Sequence, residues 1–179
     1  MNDLRTEQVG GIAAAITDEG QTQPIRINIY FGNGKNGENI ELSNFAIRPF
    51  IHTFNDGTQK TFQSVEQAFH YIKGALFAKQ DANNNNVLND IMNTTSGGEL
   101  RLLGRKIKGL DVAKWDANSS DVMKQLLKES FEQNPKATQR LLDTGNATLT
   151  HNQARSPWKT EFPRLLMEVR DELRKSQNT

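Results

Sequence analysis

The chain has 179 residues, 35% of them hydrophobic, a size and apolar content that suit one domain with a real core. Twenty-two Lys and Arg stand against 21 Asp and Glu, and the resulting net charge of +1 excludes a strong global field for gathering nucleic acid or an anionic membrane. With no cysteine and three scattered histidines (His52, His70, His151), disulfides and thiolate metal sites are excluded and no zinc motif is present.

Residues 1–24 mix polar side chains with Gly10-Gly11, Gly20 and Pro24, and are expected to form a loosely attached extension with room for a short helix. Its apolar stretch, Val9 to Ile16, is too short to span a membrane and follows Asp3 and Glu7 as well as Arg5, unlike a secretory signal, so a cytoplasmic protein is expected. The domain is expected over 25–175, with 176–179 as a tail. Ile25, Ile27, Ile29 and Phe31 alternate with Arg26, Asn28 and Tyr30, which predicts a half-buried strand. Arg48 to Phe54 and Lys60 to Gln63, joined by Asn55-Asp56-Gly57, predict a hairpin. The four asparagines 83–86 read as a surface loop or a helix start. After Thr95-Ser96-Gly97-Gly98 a helix is expected from about Glu99 to Lys106. A short turn or helix at Asp111 to Trp115 precedes a second helix opened by Ser120 and ended by Pro135. Lys136 to Leu142 continues helical, Thr148 to His151 is a short strand, and Pro163 in a first turn introduces the closing helix. A few strands followed by a run of helices predict an α+β fold, a mainly helical single domain around a small β-sheet.

The segment following the hairpin, Ser64 to Lys73, carries the most chemistry. Ser64 and Gln67 have the spacing of a capping box, so the helix is expected to begin at Ser64. At 3.6 residues per turn, Val65, Ala68, Phe69, Ile72 and Leu76 form one apolar stripe, with Glu66 and Lys73 beside it. The seven residues between those two correspond to about 10 Å along the axis, too far for an ion pair but suited to flanking a ligand. His70 lies between them. Glu66 falls in the first turn, where free N–H groups and the helix dipole favour a carboxylate. By itself this pattern equally describes a solvated flank of an amphipathic helix.

Other segments are ambiguous alone. Ser43-Asn44-Phe45 could meet the polar edge and flat face of a ligand, or be a turn with a buried ring. Gly104-Arg105-Lys106 could hold phosphate or simply close a helix. Trp115 and Trp158 could be stacking platforms or core residues.

Their order is more informative. Tyr30-Phe31, then Leu42-Ser43-Asn44-Phe45, Ser64-Val65-Glu66-Gln67-Ala68-Phe69 with Lys73, Leu103-Gly104-Arg105, Trp115 with Val122-Met123, and Trp158 with Leu165 to Arg170 resemble the NADAR family (NAD and ADP-ribose associated) over about residues 27–174. The resemblance implies N-glycosidic chemistry at a ribose anomeric carbon. It implies removal of ADP-ribose from the amino group of guanine bases, in nucleic acid or nucleoside, or cleavage of phosphorylated ribosylamino-pyrimidine intermediates of riboflavin synthesis. A non-catalytic module binding ADP-ribose or NAD-derived nucleotides is the reading from another class. Glu66 matches the motif glutamate, implied to stabilise the oxocarbenium-like transition state, and Lys73 the motif lysine, implied to capture the opened sugar as a Schiff base. Ser43, Asn44, Phe45, Gly104, Arg105, Trp115 and Trp158 are the implied ligand-binding residues, and His70, at a position that the resemblance does not fix, is a further ligand-binding candidate; no metal or cofactor is expected. An ADP-ribosyltransferase toxin is the implied genetic partner. In one respect the chain departs from relatives of the riboflavin type: Arg155 stands before Trp158 where they carry an acid, and no glycine-rich stretch follows it. The departure favours an ADP-ribosyl substrate.

Overall fold

A computed structural model describes residues 5–9, 12–16, 25–32 and 36–179. The fold is α+β and mainly helical: among the described residues, six α-helices accompany three two-stranded ladders rather than one sheet. The chain forms two compact units, Met1–Leu42 with Lys136–Thr179, and Ser43–Pro135. Among the described residues, no helix is long and apolar enough to cross a membrane.

In the first unit, β1 (Arg5–Val9) and β2 (Ile12–Ile16) pair antiparallel, with Val9 opposite Ile12. Residues 5–9 and 12–16 are thus strand and not the short helix expected in this extension, and the rest of residues 1–24 lies outside the described residues. β3 (Arg26–Asn28) is shorter than the expected strand and runs parallel to β6 (Thr148–Thr150), Ile27 facing Leu149. The expected alternation holds at its centre, where Ile27 and Ile29 are buried and Arg26 is exposed. α5 (Pro135–Leu142) and α6 (Trp158–Gln177) complete the unit. α6 starts at Trp158, five residues before the expected Pro163, which lies inside the helix. Its opening turn is tied down by the Glu161 N–H donating to the Pro157 carbonyl and the Thr160 hydroxyl to the same oxygen. The missing N–H of Pro163 therefore costs one bond without ending the helix. Buried Arg170 donates from α6 to the Thr144 hydroxyl and the Ala147 carbonyl, bracing the chain before β6.

In the second unit, β4 (Phe50–Thr53) and β5 (Gln59–Phe62) form the expected Asp-Gly hairpin, and Asp56 Oδ1 accepts from the Thr58 N–H and hydroxyl. α1 (Val65–Leu76) follows, then α2 (Ala82–Met92), capped by Asp81, and α3 (Gly97–Arg105), capped by Ser96. The asparagine run lies in the first turns of α2. Asn84 is buried and clamps the chain, donating to the Lys79 and Lys108 carbonyls and accepting from the Lys108 N–H. α4 (Val112–Glu132) is one continuous helix, not a turn followed by a helix from Ser120. The Asp111 carboxylate accepts the Lys114 N–H and sets the start, and no Gly or Pro interrupts the chain before Pro135. Its buried residues, Trp115, Met123, Leu126, Leu127 and Phe131, face α1 and β4.

Candidate active site

α1 begins where its sequence demands. Ser64 is the N-cap, and its hydroxyl accepts the Gln67 N–H at 3.1 Å. The Gln67 side chain, 1% exposed, reaches back one residue beyond the usual box: its Oε1 accepts the Gln63 N–H at 2.8 Å. Its amide group donates to the Ile91 and Thr94 carbonyls at the end of α2. Gln67 thus holds the helix entry, the hairpin exit and α2 together.

The Ser43-Asn44-Phe45 segment docks on this entry. The Asn44 carbonyl accepts the Glu66 N–H at 3.0 Å, occupying one of the free donors of the first turn. The Ser43 hydroxyl accepts the Phe45 N–H, and the Ser43 carbonyl accepts from Arg48 at 2.8 Å. Arg48 is 3% exposed, donates also to the Ser130 hydroxyl and lies over the Phe131 ring; burial pushes its pKa down to about 10. It is a buried cation spent on holding the loop. The Asn44 amide nitrogen meets only the Met123 sulfur, at 3.5 Å, and its Oδ1 is buried without a hydrogen bond. An orphaned acceptor of this kind is costly unless a partner arrives.

Glu66 and His70, one turn apart, are joined at 2.8 Å from His70 Nε2 to Glu66 Oε1, and both side chains are only 13% exposed. Among the described residues no hydrogen bond engages Glu66 Oε2. Against this pair lies α3. A Cβ on Gly104 would fall 2.3 Å from His70 Nδ1, and one on Gly97 2.6 Å from the Phe45 ring. Both glycines are therefore required by close approach, one for an aromatic ring and one for an imidazole. Lys73 lies one turn beyond His70, half-buried, and makes no ion pair or hydrogen bond among the described residues. Burial lowers its pKa by disfavouring the ammonium form.

The structure thus brings Ser43, Asn44, Phe45, Glu66, His70 and Gly104 together at the N-terminal half of α1, with Lys73 further along the same helix. The remaining sequence-predicted residues make no contact of this kind with the Glu66–His70 pair among the described interactions. Trp115 is 8% exposed and packs between Phe69 and Phe77, with ring centroids at 4.9 and 5.0 Å, which is a core position. Arg105 is exposed at the end of α3, and Trp158 is the half-buried first residue of α6 in the first unit. Arg48 was missed by sequence reasoning, and Gln67, read as half of a capping box, was not seen as the tie to α2. The only available signals were an arginine at the head of an apolar strand and the second half of a capping box.

A carboxylate with one oxygen anchored and one open, on the same helix as an unpaired amine that burial disfavours as a cation, can stabilise developing positive charge and offer a nucleophile. Among the described residues no three His, Asp or Glu side chains converge as a metal site requires.

The E. coli protein YbiA, whose structure was determined by NMR, is similar at a TM-score of 0.65 and 25% identity, covering 87% of this chain and 88% of that one. No curated protein matches the chain by sequence. The NADAR domain matches residues 30–160, a span that includes every residue of the α1 site, and NADAR domains are associated with N-glycosidase activity. With most of its length matched, this chain belongs to the NADAR family.

Proposed function

We propose that the protein is an N-glycoside hydrolase that removes ADP-ribose from the amino group of guanine bases, in nucleic acid or nucleoside. The observation that carries the reading is the desolvated Glu66 carboxylate with one oxygen held by His70 and the other open. As the bond between the guanine nitrogen and ribose C1 breaks, positive charge builds on C1 and the ring oxygen, and a carboxylate at that point lowers the barrier. The leaving nitrogen takes a proton, and water supplies the hydroxyl that ends on C1. Lys73 supports a covalent variant of the same reaction. The ring-opened sugar presents an imine at C1; the neutral Lys73 amine adds there, the guanine amine departs with a proton, and water hydrolyses the lysine imine to free ADP-ribose. Lowering the Lys73 pKa leaves more of the amine in the form that can attack.

Asn44 Oδ1, the buried acceptor without a partner, is suited to a ribose hydroxyl or a base amino group. In the sequence, Arg155 and Lys159 flank Trp158, Arg155 standing where relatives of the riboflavin type carry an acid, and both are exposed, which suits a more anionic substrate. This charge, and the missing glycine-rich stretch, support the ADP-ribosyl substrate over a ribosylamino-pyrimidine. An intracellular setting beside an ADP-ribosyltransferase toxin is the context such an activity would serve.

The test is release of ADP-ribose from an ADP-ribosylated guanine oligonucleotide and from ADP-ribosylguanosine, with a phosphorylated ribosylamino-pyrimidine in parallel. Turnover of the guanine adducts alone is expected. Turnover of the pyrimidine alone would replace this substrate with the riboflavin-type one, and tight ADP-ribose binding without release would mark a binding module. Borohydride should trap an adduct in the native protein and none in Lys73→Ala; equal trapping in both would remove the covalent step.

A further inference from the structure

The Glu66–His70 pair has the spacing of an ordinary surface pair one helical turn apart, yet three observations set it aside. Both side chains are 13% exposed, so the pair is not a solvated one whose strength water and salt would erode. The second ring nitrogen, Nδ1, is buried and has no hydrogen-bond partner. It also faces Gly104, where a Cβ would stand 2.3 Å from Nδ1 and 2.6 Å from Cε1, so α3 closes directly on the ring.

These facts assign the tautomer. A proton on Nδ1 would bury an N–H donor with no acceptor, whereas a proton on Nε2 is donated to a carboxylate oxygen at 2.8 Å. His70 then acts as a fixed donor. It occupies Glu66 Oε1 and cannot turn away, because Gly104 backs the ring on one side and the Phe69 ring lies edge-on to it, with centroids 5.9 Å apart. Glu66 in turn has Oε1 held on His70 and Oε2 left open.

We propose that His70 is a positioning residue for Glu66 and that position 104 is glycine to admit the His70 ring. Neither residue touches the substrate in this assignment: His70 aims the carboxylate, and Gly104 seats His70. The proposal rests on the reading of Glu66 as the working carboxylate, and it replaces the two ligand-binding roles expected for His70 and Gly104 from sequence.

The decisive comparison is kcat and KM for ADP-ribosylguanosine in the native protein, His70→Ala, His70→Gln, Gly104→Ala and Glu66→Gln, at equal folded fraction. His70→Ala and Gly104→Ala should each lose about 10- to 100-fold in kcat, as outer-shell orienting partners do, with KM changed less than about twofold. His70→Gln, whose amide can still donate to a glutamate four residues earlier, should recover part of that loss. A kcat near native in His70→Ala beside an inactive Glu66→Gln would overturn the positioning role while leaving Glu66 in place. Full activity in Glu66→Gln would instead remove the reading beneath it, and the positioning role with it. Nitrogen-15 NMR of the labelled native protein needs no turnover and covers the case of a variant that does not fold. The Nε2–H tautomer at His70 is expected, and an Nδ1–H tautomer would overturn the assignment.

Discussion

His52 is joined to Glu129 at 2.8 Å between β4 and α4, and His70 to Glu66 at the same distance along α1. Geometry alone does not separate the two pairs; the use of the carboxylates does. Glu129 has both oxygens occupied, Oε2 by His52 and Oε1 by the Gln125 amide, and His52 is packed edge-on against Phe54 with centroids 4.7 Å apart. That pair fastens a strand to a helix. Glu66 spends one oxygen on His70 and keeps the other. A carboxylate with both oxygens held by the fold serves to fasten it, whereas one with an oxygen left open at low exposure is available for chemistry.

The largest effect that could break this contrast is catalytic. Glu66→Gln should lower kcat by about 100- to 1000-fold, the usual cost of removing a preorganised charge-stabilising group. Next comes the scaffold beneath the site. Gln67→Leu strands the Ile91 and Thr94 carbonyls and the Gln63 N–H, and should cost about 2–4 kcal/mol of stability in urea unfolding. A change below about 0.5 kcal/mol would mean that these bonds are replaced by water at no loss. Glu129→Gln should be milder still, about 1–2 kcal/mol less stable, with turnover per folded molecule unchanged.

The smallest effect concerns Lys73 and pH. Burial places its folded-state pKa below the ordinary 10.5, so the charged amine opposes folding below that folded-state value. The opposition fades as pH rises through the folded-state pKa towards 10.5. Lys73→Met removes it. The variant should be more stable than the native chain at neutral pH, by a margin that shrinks as the pH rises; a margin independent of pH would contradict the desolvated amine. Borohydride trapping should increase over the same rise in pH.

What the sequence disclosed depended on how local each feature is. The Ser64 cap, the Asp56-Gly57 hairpin and the α1 stripe through Val65, Ala68, Phe69 and Ile72 are set by neighbours within a few residues and are present, whereas Leu76, expected to continue the stripe, is 52% exposed at the helix end. The start of α4 was misplaced because the polar run through Asn118, Ser119 and Ser120 resembles a helix opening, whereas the Asp111 cap is stronger and nothing stops the helix. The Pro163 signal was misread in the same way, a proline tolerated inside a helix already held by bonds to Pro157. Within the site, Glu66 and Lys73 were visible as positions on one helix. The seating of His70 under Gly104 was not, because the two are 34 residues apart and meet only when α3 packs on α1. Trp115, ambiguous by composition, is buried against the Phe69 and Phe77 rings, a placement that only the packed helices reveal.

The most direct measurement places the two glutamates side by side: kcat on ADP-ribosylguanosine for Glu66→Gln and for Glu129→Gln, each corrected for folded fraction. A ratio of about one hundredth or lower is expected. A ratio near one, with the native protein active, would contradict the assignment of Glu66 as the working carboxylate.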